Sequence, residues 1–234
     1  MERLKELGYR ILKEGATTLI VKPEVDAARI PRTGPIGRPT TLKGRRQLRF
    51  LEPDLIVREV VHGGLFASLS SDRFLSPARS IRELSINAYL ISSGVPTPEI
   101  MALRVIQNGW YQTIAVVSRL VPKATDLIAY LATAHEDAGQ RFEQIGELVR
   151  RMHDLKVYHA DLHLKNFLLD SGGAVWVLDL DKAWHVPTLP SILQAMNIRR
   201  FFRSCRKWSH KGRIILPPDY VARFMKGYRS RTAV

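Results

Sequence analysis

The stretch VYHADLHLKNFLLD, residues 157–170, decides between the folds open to this chain. It places His159, Asp161 and His163 at alternate positions, with Asn166 three residues after His163. On an extended segment alternate side chains face one way, so the two histidines and Asp161 could be the metal ligands of a hydrolase. Alternatively, the stretch could be the catalytic loop of a phosphotransferase, in which Asp161 and Asn166 have separate roles.

Asp179 favours the phosphotransferase. It lies eighteen residues after Asp161, at the end of the apolar run VWVL. This matches the protein-kinase order of an H-x-D-x-x-x-x-N loop, a hairpin and an apolar-apolar-Asp segment. A Mg²⁺ ion that neutralises donor phosphates prefers oxygen ligands, which the Asn166 amide and the Asp179 carboxylate would supply. Asp161 would orient the acceptor hydroxyl and take its proton.

The hydrolase alternative explains less of the sequence. Its further metal ligands would have to come from His185 and His210, the histidines downstream, and neither lies in a ligand-like cluster. It also leaves Asn166 and Asp179 without a role. The kinase-like interpretation is therefore preferred, and His159 is expected to hold the loop backbone rather than to accept a proton.

The composition indicates an intracellular globular protein. The chain has 234 residues, 45% of them hydrophobic, enough for one core or two small lobes. Its single cysteine, Cys205, leaves no partner for an intrachain disulfide and is expected to be buried. The N-terminus lacks a signal-peptide pattern, and the apolar runs are too short to span a bilayer. A soluble, cytoplasmic protein is expected.

The net charge of +14 points to a polyanionic partner. Nucleic acid, an anionic membrane surface and a phosphorylated substrate would each suit it. Lysine and arginine concentrate in residues 38–49 and 199–213, which we call the first and second basic segments. Either segment could also be an ordinary solvated face.

Alternating patterns in the first half of the chain predict strands. Hairpins are expected at residues 9–22 and 46–61, and two further strands at residues 100–107 and 110–119. Residues 31–44, rich in Gly, Pro, Thr and basic residues, are expected to form a loop. One helix interrupts these strands, and its expected start is a capping box made by Ser80 and Glu83.

Helical patterns dominate the second half. Apolar residues from Phe142 to Met152 recur at helical spacing, and the chain beyond Pro190 also reads as helical. We therefore predict an α+β, protein-kinase-like bilobal fold. A strand-rich N-lobe with one helix spans residues 1–119, and a small helical C-lobe spans residues 120–234 of the same catalytic domain.

The catalytic-loop stretch and the following VWVLDLDKA resemble the lipopolysaccharide core kinases, and among them most closely the kinases of 3-deoxy-D-manno-octulosonic acid (Kdo). Further stretches of this sequence agree with the family in order: GRPT (37–40), LIVREVVHGGLF (55–66), RFLSPARSIRE (73–83), SGVPTPE (93–99) and NIRRFFRSCRK (197–207). The resemblance covers nearly the whole chain, and its catalytic-loop motifs are the specific ones.

The resemblance implies Mg-ATP as donor and a sugar hydroxyl as acceptor. Asp161 would be the catalytic base, and Asn166 and Asp179 would hold Mg²⁺. Arg58 would bind the α- and β-phosphates, and Glu83 on the following helix would pair with it.

The resemblance implies the roles of some other residues less specifically. The loop beginning at Gly37 would cover the phosphates, and Lys165 could touch the γ-phosphate or simply be solvated. The family's relatives among protein kinases have Lys where this chain has Arg58, and Pro39 makes the phosphate loop stiffer than glycine would. Asp181 could be a second metal ligand or could cap a turn.

The acceptor expected from the resemblance is Kdo on Kdo-lipid A. A heptose kinase of the same core region, or a related small-molecule kinase, is the alternative. A chain of charge +14 would repel the polycationic substrates of aminoglycoside kinases, whereas it suits an anionic glycolipid. It would also suit the inner face of the bacterial inner membrane, to which peripheral binding is expected.

A different class remains open at this point: a non-catalytic, basic nucleic-acid-binding protein with a kinase-like fold. The sequence contains no recognisable RNA- or DNA-binding motif. No nucleic acid partner is therefore expected, and no protein partner can be inferred.

Overall fold

The structure, a computed structural model, describes residues 2–40, 48–60, 74 and 76–230. The chain divides into two compact units. The sheet unit comprises Met1–Ala88 and Glu99–Leu120, and the helical unit comprises Tyr89–Pro98 and Val121–Val234. Together they confirm the predicted α+β class, with strands concentrated in the first unit and helices in the second.

Within its described residues, the sheet unit contains a seven-stranded antiparallel sheet of order β1-β2-β6-β7-β5-β4-β3. The strands are β1 (Arg10–Glu14), β2 (Thr17–Val21), β3 (Arg38–Pro39), β4 (Arg49–Leu51), β5 (Leu55–Glu59), β6 (Ile100–Asn108) and β7 (Tyr111–Arg119). Helix α1 (Glu2–Glu6) precedes the sheet, and α2 (Ala78–Ser92) lies between β5 and β6 in the chain.

Both faces of the sheet are covered by apolar side chains, because successive residues of a strand point to opposite faces. Val57 and Ala102 belong to the core on one face. Leu103 belongs to the core on the other face, together with Leu84 of α2. This alternation positions α2 beside β5, the strand that carries Arg58.

The two predicted hairpins of the sheet unit are confirmed as β1–β2 and β4–β5. Residues 31–44, expected to be a loop, contain the short strand β3, which pairs with β4. Residues 41–47 lie outside the described part of the chain. The helix predicted from Ser80 begins at Ala78 instead, so Ser80 lies inside the helix and the capping-box prediction was wrong.

The helical unit is built on longer helices and short strands. Its helices are α3 (Leu127–Tyr130), α4 (Ala138–Asp154), α5 (Ser191–His210) and α6 (Tyr220–Arg229). Its strands are β8 (Thr125–Asp126), β9 (Val157–His159), β10 (Phe167–Leu169), β11 (Val175–Val177) and β12 (Ala183–His185). Strands β11, β10 and β8 form one small sheet, and β12 pairs with β9 in another.

Aromatic rings fill the core of the helical unit. Phe201, from the second basic segment, is fully buried and stacks against Phe224 with ring centroids 5.1 Å apart. It also meets Phe142 and Phe167 edge-on. Phe201 therefore packs inside the protein, whereas its neighbours Arg203 and Arg206 are exposed.

Helices α4 and α6 approach each other unusually closely at two glycines. A Cβ added to Gly146 would lie 2.1 Å from the Phe224 carbonyl oxygen, and one added to Gly227 would lie 2.0 Å from that of Glu143. Only glycine fits at such backbone contacts.

Cys205 is buried in α5, as expected, and burial raises the pKa of its thiol.

Candidate active site

Two strand pairs shape the predicted catalytic loop. Strand β9 leads into the loop and pairs with β12, with His159 opposite Ala183. Strand β10 leaves the loop and pairs with β11, with Phe167 opposite Val177. The loop between β9 and β10 is therefore fastened at both ends, as a site that must hold a catalytic group in place requires.

Asp161 lies in this loop and binds a lysine that the sequence interpretation missed. Lys182 Nζ is 2.7 Å from Asp161 Oδ2. The β9–β12 pair explains the contact, because the Ala160 N–H donates to the Lys182 carbonyl at 3.1 Å, immediately beyond the paired strands. The carboxylate of Asp161 keeps 21% of its side-chain surface exposed, so it remains reachable from solvent.

The surroundings keep Asp161 ionised. Burial alone would raise the pKa of its carboxyl, but the hydrogen bond and the charge of Lys182 outweigh burial and hold that pKa below its usual range. His163 also approaches, with Nε2 3.9 Å from Asp161 Oδ1. Burial lowers the pKa of His163, so its ring is neutral at physiological pH and adds little charge to the site.

His159 is fully buried and ties the loop to the strand that precedes Asp179. Its Nδ1 accepts a hydrogen bond from the Asp161 N–H at 3.3 Å, and its Nε2 lies 3.4 Å from the Leu178 carbonyl. Burial lowers the pKa of His159, which keeps the ring neutral, with its proton on the nitrogen that faces Leu178. His159 therefore holds backbone groups, as expected, and its ring nitrogens are not arranged as metal ligands.

The β10–β11 hairpin brings Asn166 and Asp179 to the same end of the small sheet. The Leu178 N–H donates to the Asn166 carbonyl at 2.8 Å, so Asp179 follows directly after the last backbone link to Asn166. The buried Asn166 side chain donates through Nδ2 to the Asp161 carbonyl at 3.0 Å. The catalytic loop and the hairpin thereby place Asp161, Asn166 and Asp179 in one part of the helical unit.

The donor set fits Mg²⁺. The amide nitrogen of Asn166 is committed to Asp161, and its oxygen has no hydrogen-bond partner among residues 2–40, 48–60, 74 and 76–230. Amide and carboxylate oxygens, which Asn166 and Asp179 carry, are the hard ligands that Mg²⁺ prefers. Within the described residues, no group of three or more His, Cys, Asp or Glu side chains could hold a metal.

Asp179 has an unusual backbone. Its φ of 56° and ψ of 63° lie in the left-handed region, where aspartate is tolerated better than most residues. Such a conformation costs about 1 kcal/mol or more and is concentrated at functional sites. Asp181 follows in a short 3-10 helix and is buried, and its role stays open.

Helix α5 runs along the catalytic loop and supports it at successive points. Asn197 holds the backbone of His159 on both sides, since its Oδ1 accepts from the N–H at 3.2 Å and its Nδ2 donates to the carbonyl at 3.0 Å. Two helical turns further on, Ser204 Oγ accepts from the Leu164 N–H at 3.2 Å. The sequence interpretation missed these residues, because single polar residues in a helix carry no pattern.

His153 of α4 joins the same network. Its Nε2 lies 3.2 Å from Asn197 Oδ1, and its Nδ1 lies 2.8 Å from the Tyr228 hydroxyl. The carbonyl oxygen of Asn197 can only accept, so Nε2 of the histidine carries the proton. Burial lowers the pKa of His153 to about 4, and the hydrogen bond to Asn197 offsets this only partly.

This depressed pKa predicts acid sensitivity of the folded protein. A histidine that is harder to protonate when folded contributes stability above its unfolded pKa of about 6.5, and that stability is lost as the pH falls towards 4. We expect the free energy of unfolding of the wild type to fall between pH 7 and pH 4 by about 3 kcal/mol more than that of His153→Gln. Denaturant unfolding at several pH values measures this, and parallel curves for the two proteins would contradict it.

In the sheet unit, Arg58 and Glu83 form an ion pair. Arg58 Nη2 lies 2.6 Å from Glu83 Oε1, and the Glu83 carboxylate is almost completely buried. The pairing implied by the resemblance is therefore present, between β5 and α2. Whether these residues bind phosphate stays a prediction.

The structure gives Gly37 a local role. Its φ is 67°, and a Cβ there would lie 2.3 Å from the Phe50 carbonyl oxygen, so only glycine allows β3 to approach β4. Arg49 fastens the same turn by donating from Nε to the Gly37 carbonyl at 3.0 Å. At the other end of the first basic segment, Arg38 pairs with Glu52 at 2.9 Å. The phosphate-covering role of Gly37 stays a prediction.

Lys165, the candidate γ-phosphate ligand, lies over the ring of Trp208, with Nζ 4.7 Å from the ring centroid. Trp208 belongs to the second basic segment. The contact joins the catalytic loop to that segment, a link that the sequence did not indicate.

Comparison with known proteins identifies a family of similar sequences. The model of the lipopolysaccharide kinase (Kdo/WaaP) family matches residues 39–228. The chain is similar to the 3-deoxy-D-manno-octulosonic acid kinase of Photobacterium damsela subsp. piscicida, with 30% identity over 186 residues, which is 76% of each chain.

Two further relatives with the same name give similar figures. The protein from Vibrio cholerae serotype O1 is 33% identical over 155 residues, 64% of this chain and 65% of the relative. That from Haemophilus influenzae strain PittEE is 32% identical over 182 residues, 70% of this chain and 73% of the relative. The chain belongs to the lipopolysaccharide kinase (Kdo/WaaP) family and is a phosphotransferase.

Proposed function

We propose that the protein transfers the γ-phosphate of ATP to a sugar hydroxyl of the lipopolysaccharide inner core, namely that of Kdo on Kdo-lipid A. The observation that carries the proposal is the placement of Asp161, Asn166 and Asp179 by the catalytic loop and the β10–β11 hairpin, with the carboxylate of Asp161 held by Lys182 at 2.7 Å. Residues 1–119 and 120–234 are the proposed lobes of the single catalytic domain that performs this reaction.

Asp161 is the proposed catalytic residue for the acceptor. Its depressed pKa keeps it ionised at neutral pH, so the carboxylate can accept a hydrogen bond from the attacking hydroxyl and fix its direction. A low pKa makes it a weak base, so it takes the proton only as the new O–P bond forms and the hydroxyl becomes acidic. Lys182 keeps the carboxylate in one position until then.

Asn166 and Asp179 are the proposed Mg²⁺ ligands. When bound, the ion would neutralise the charge on the donor phosphate oxygens. Arg58 is the proposed cation for the nucleotide phosphates, Glu83 orients Arg58, and the segment at Gly37 contributes backbone to phosphate binding. Arginine offers two parallel donors to a phosphate, which suits a guanidinium that is fixed by a buried carboxylate.

The names of the relatives and the charge of the chain support Kdo-lipid A as the acceptor. Kdo carries a carboxylate and lipid A carries phosphates, and both complement a net charge of +14. The alternative acceptor is a heptose of the same core region. ATP consumption can be measured with Kdo-lipid A, with a heptose-extended acceptor and with a neutral sugar. The proposal requires the highest kcat/KM with Kdo-lipid A, and a preference for either other acceptor would contradict it.

We also propose that the protein binds peripherally to the cytoplasmic face of the inner membrane, where the glycolipid acceptor is. No helix in the described ranges is long and apolar enough to cross a membrane. The second basic segment exposes Arg203, Arg206 and Lys207 on α5. Within the described residues, none of these three side chains has a carboxylate partner, so their charges are available to anionic lipid headgroups.

Replacing Arg203, Arg206 and Lys207 together by Gln should weaken binding to anionic vesicles by up to about 3 kcal/mol at low salt, since each cation near such a surface contributes about 1 kcal/mol. The KM for Kdo-lipid A should rise, and ATP affinity should not change. Wild-type vesicle binding should fall with added salt. A co-sedimentation assay measures the affinity for vesicles.

The matched control for this triple variant removes cations that already have partners. Arg150, Arg223 and Lys226 each form an ion pair on the surface of the helical unit. Their joint replacement by Gln changes the net charge equally. If both triple variants bind vesicles as tightly as wild type does, the membrane contact lies elsewhere in the chain.

A further inference from the structure

The ring of Trp208 forms cation–π contacts with two lysine ammonium groups. Lys165 Nζ lies 4.7 Å and Lys211 Nζ 5.8 Å from the centroid of its ring. Each cation is attracted by the electron-rich face of an indole ring, but the two cations repel each other. The two like charges therefore both lie around one ring.

Neither ammonium group has an acidic partner in the described part of the chain. Within the described residues, no carboxylate forms an ion pair with Lys165 or Lys211. Other lysines of the described chain do have acidic partners: Lys22 with Glu99, Lys182 with Asp161 and Lys226 with Glu143. The second basic segment contains no acidic residue at all. An anion bound between Lys165 and Lys211 would relieve their repulsion.

One lysine of this pair lies in the catalytic loop itself. Lys165 is part of the catalytic loop, four residues after Asp161, and the next residue is Asn166. The hydrogen bond from the Leu164 N–H to Ser204, one helical turn before Trp208, fixes the loop against this part of α5. The cation pair is therefore joined to the loop that carries the proposed catalytic carboxylate, and Trp208 lies on a different face of α5 from Arg203.

We propose that Lys165 and Lys211, held on the ring of Trp208, form a binding site for the carboxylate of the acidic sugar that is phosphorylated. This rests on the proposed function and specifies how its acceptor is recognised. Two ammonium groups give a carboxylate charge-assisted hydrogen bonds. A group on the acceptor sugar itself can reach the catalytic loop, and holding it would orient the reacting hydroxyl towards Asp161. Trp208 is a positioning residue, because it acts through the two lysines.

The test compares acceptor kinetics in single variants. Lys211→Gln should raise the KM for Kdo-lipid A about tenfold, the usual effect of losing one charge-assisted hydrogen bond, with a smaller change in kcat. Lys211→Arg should restore much of the loss. Trp208→Leu should raise KM similarly, and Trp208→Phe should raise it less, since a phenyl ring still attracts cations. Vesicle binding and ATP affinity should not change in any of them.

Two control variants have matched chemistry. Lys226→Gln removes one lysine charge from the helical unit, and Trp110→Leu removes an indole that is 71% exposed at a hairpin tip of the sheet unit. Both should retain the wild-type KM. If Lys211→Gln has no larger effect than Lys226→Gln, the proposed site is wrong.

Two further arms identify the ligand. Kdo-lipid A from which the lipid A phosphates have been removed retains only the sugar carboxylate. The increase in KM caused by Lys211→Gln should persist with this acceptor. Loss of that increase would show that the pair binds phosphate and would overturn the proposal.

In the absence of nucleotide, free Kdo should change the tryptophan fluorescence of wild type but not of Lys211→Gln or Trp208→Phe. If wild type binds free Kdo in this way but does not phosphorylate Kdo-lipid A, the proposed function fails and the binding site stands. If free Kdo changes the fluorescence of Lys211→Gln as much as that of wild type, the site is wrong.

Discussion

Replacing Asp161 by Asn should lower kcat about 10³-fold, within the range reported for the loss of a general base. The substitution keeps the shape of the side chain and removes its charge. An asparagine can still contact Lys182, but it cannot accept the proton of the acceptor hydroxyl. ATP binding should be largely unchanged, because the nucleotide does not depend on this carboxylate. Single-turnover kinetics with Kdo-lipid A measure the effect.

The matched control for Asp161→Asn is Asp154→Asn. Asp154 lies at the end of α4 in the same unit and forms an exposed ion pair with Arg150 at 2.9 Å, of the kind that contributes little to stability. It should retain wild-type activity. Near-normal turnover by Asp161→Asn, in a protein that unfolds at the wild-type temperature, would refute the role given to Asp161.

The second large effect is expected at Asp179. Asp179→Asn should lower activity by roughly 10³-fold or more, because a metal ion supplies several kcal/mol of charge stabilisation in phosphoryl transfer. Asparagine tolerates the left-handed backbone seen at this position, so the variant tests the charge rather than the fold. Unlike Asp161→Asn, it should also lose Mg²⁺-dependent ATP binding. Nucleotide titrations at several Mg²⁺ concentrations separate the two variants.

Two neighbouring substitutions check the assignment of Asp179. Asn166→Ala should have a smaller effect than Asp179→Asn, since a neutral amide supplies less charge to the metal. Asp181→Asn should also have the smaller effect. If Asp181→Asn loses more Mg²⁺-dependent binding than Asp179→Asn does, Asp181 is the ligand and the strand has been aligned incorrectly.

Local patterns could be predicted well from this sequence. The hairpins at β1–β2 and β10–β11 depend on neighbouring residues and on turn glycines, and both were found. The family match to residues 39–228 confirmed the kinase-like interpretation of the catalytic-loop spacing. The proposed roles of Asp161, Asn166 and Asp179 themselves stay predictions.

The contacts that support the site could not be predicted in this way. Lys182 reaches Asp161 only because β9 pairs with β12, and strands of three residues are too short to show alternation. Asn197 and Trp208 of α5 contact His159 and Lys165, and these contacts depend on how that helix packs against the catalytic loop. Strand β3 was missed because Pro39 argues against a strand, and it is tolerated there since β3 lies at the edge of the sheet.

Mass spectrometry of Kdo-lipid A incubated with the protein and Mg-ATP tests the central claim most directly. The account predicts that wild type adds one phosphoryl group, and that fragmentation places it on the Kdo sugar. Asp161→Asn should give almost none of this product under the same conditions. Unmodified glycolipid with the wild-type protein, or a phosphoryl group located on lipid A instead of Kdo, would contradict the account.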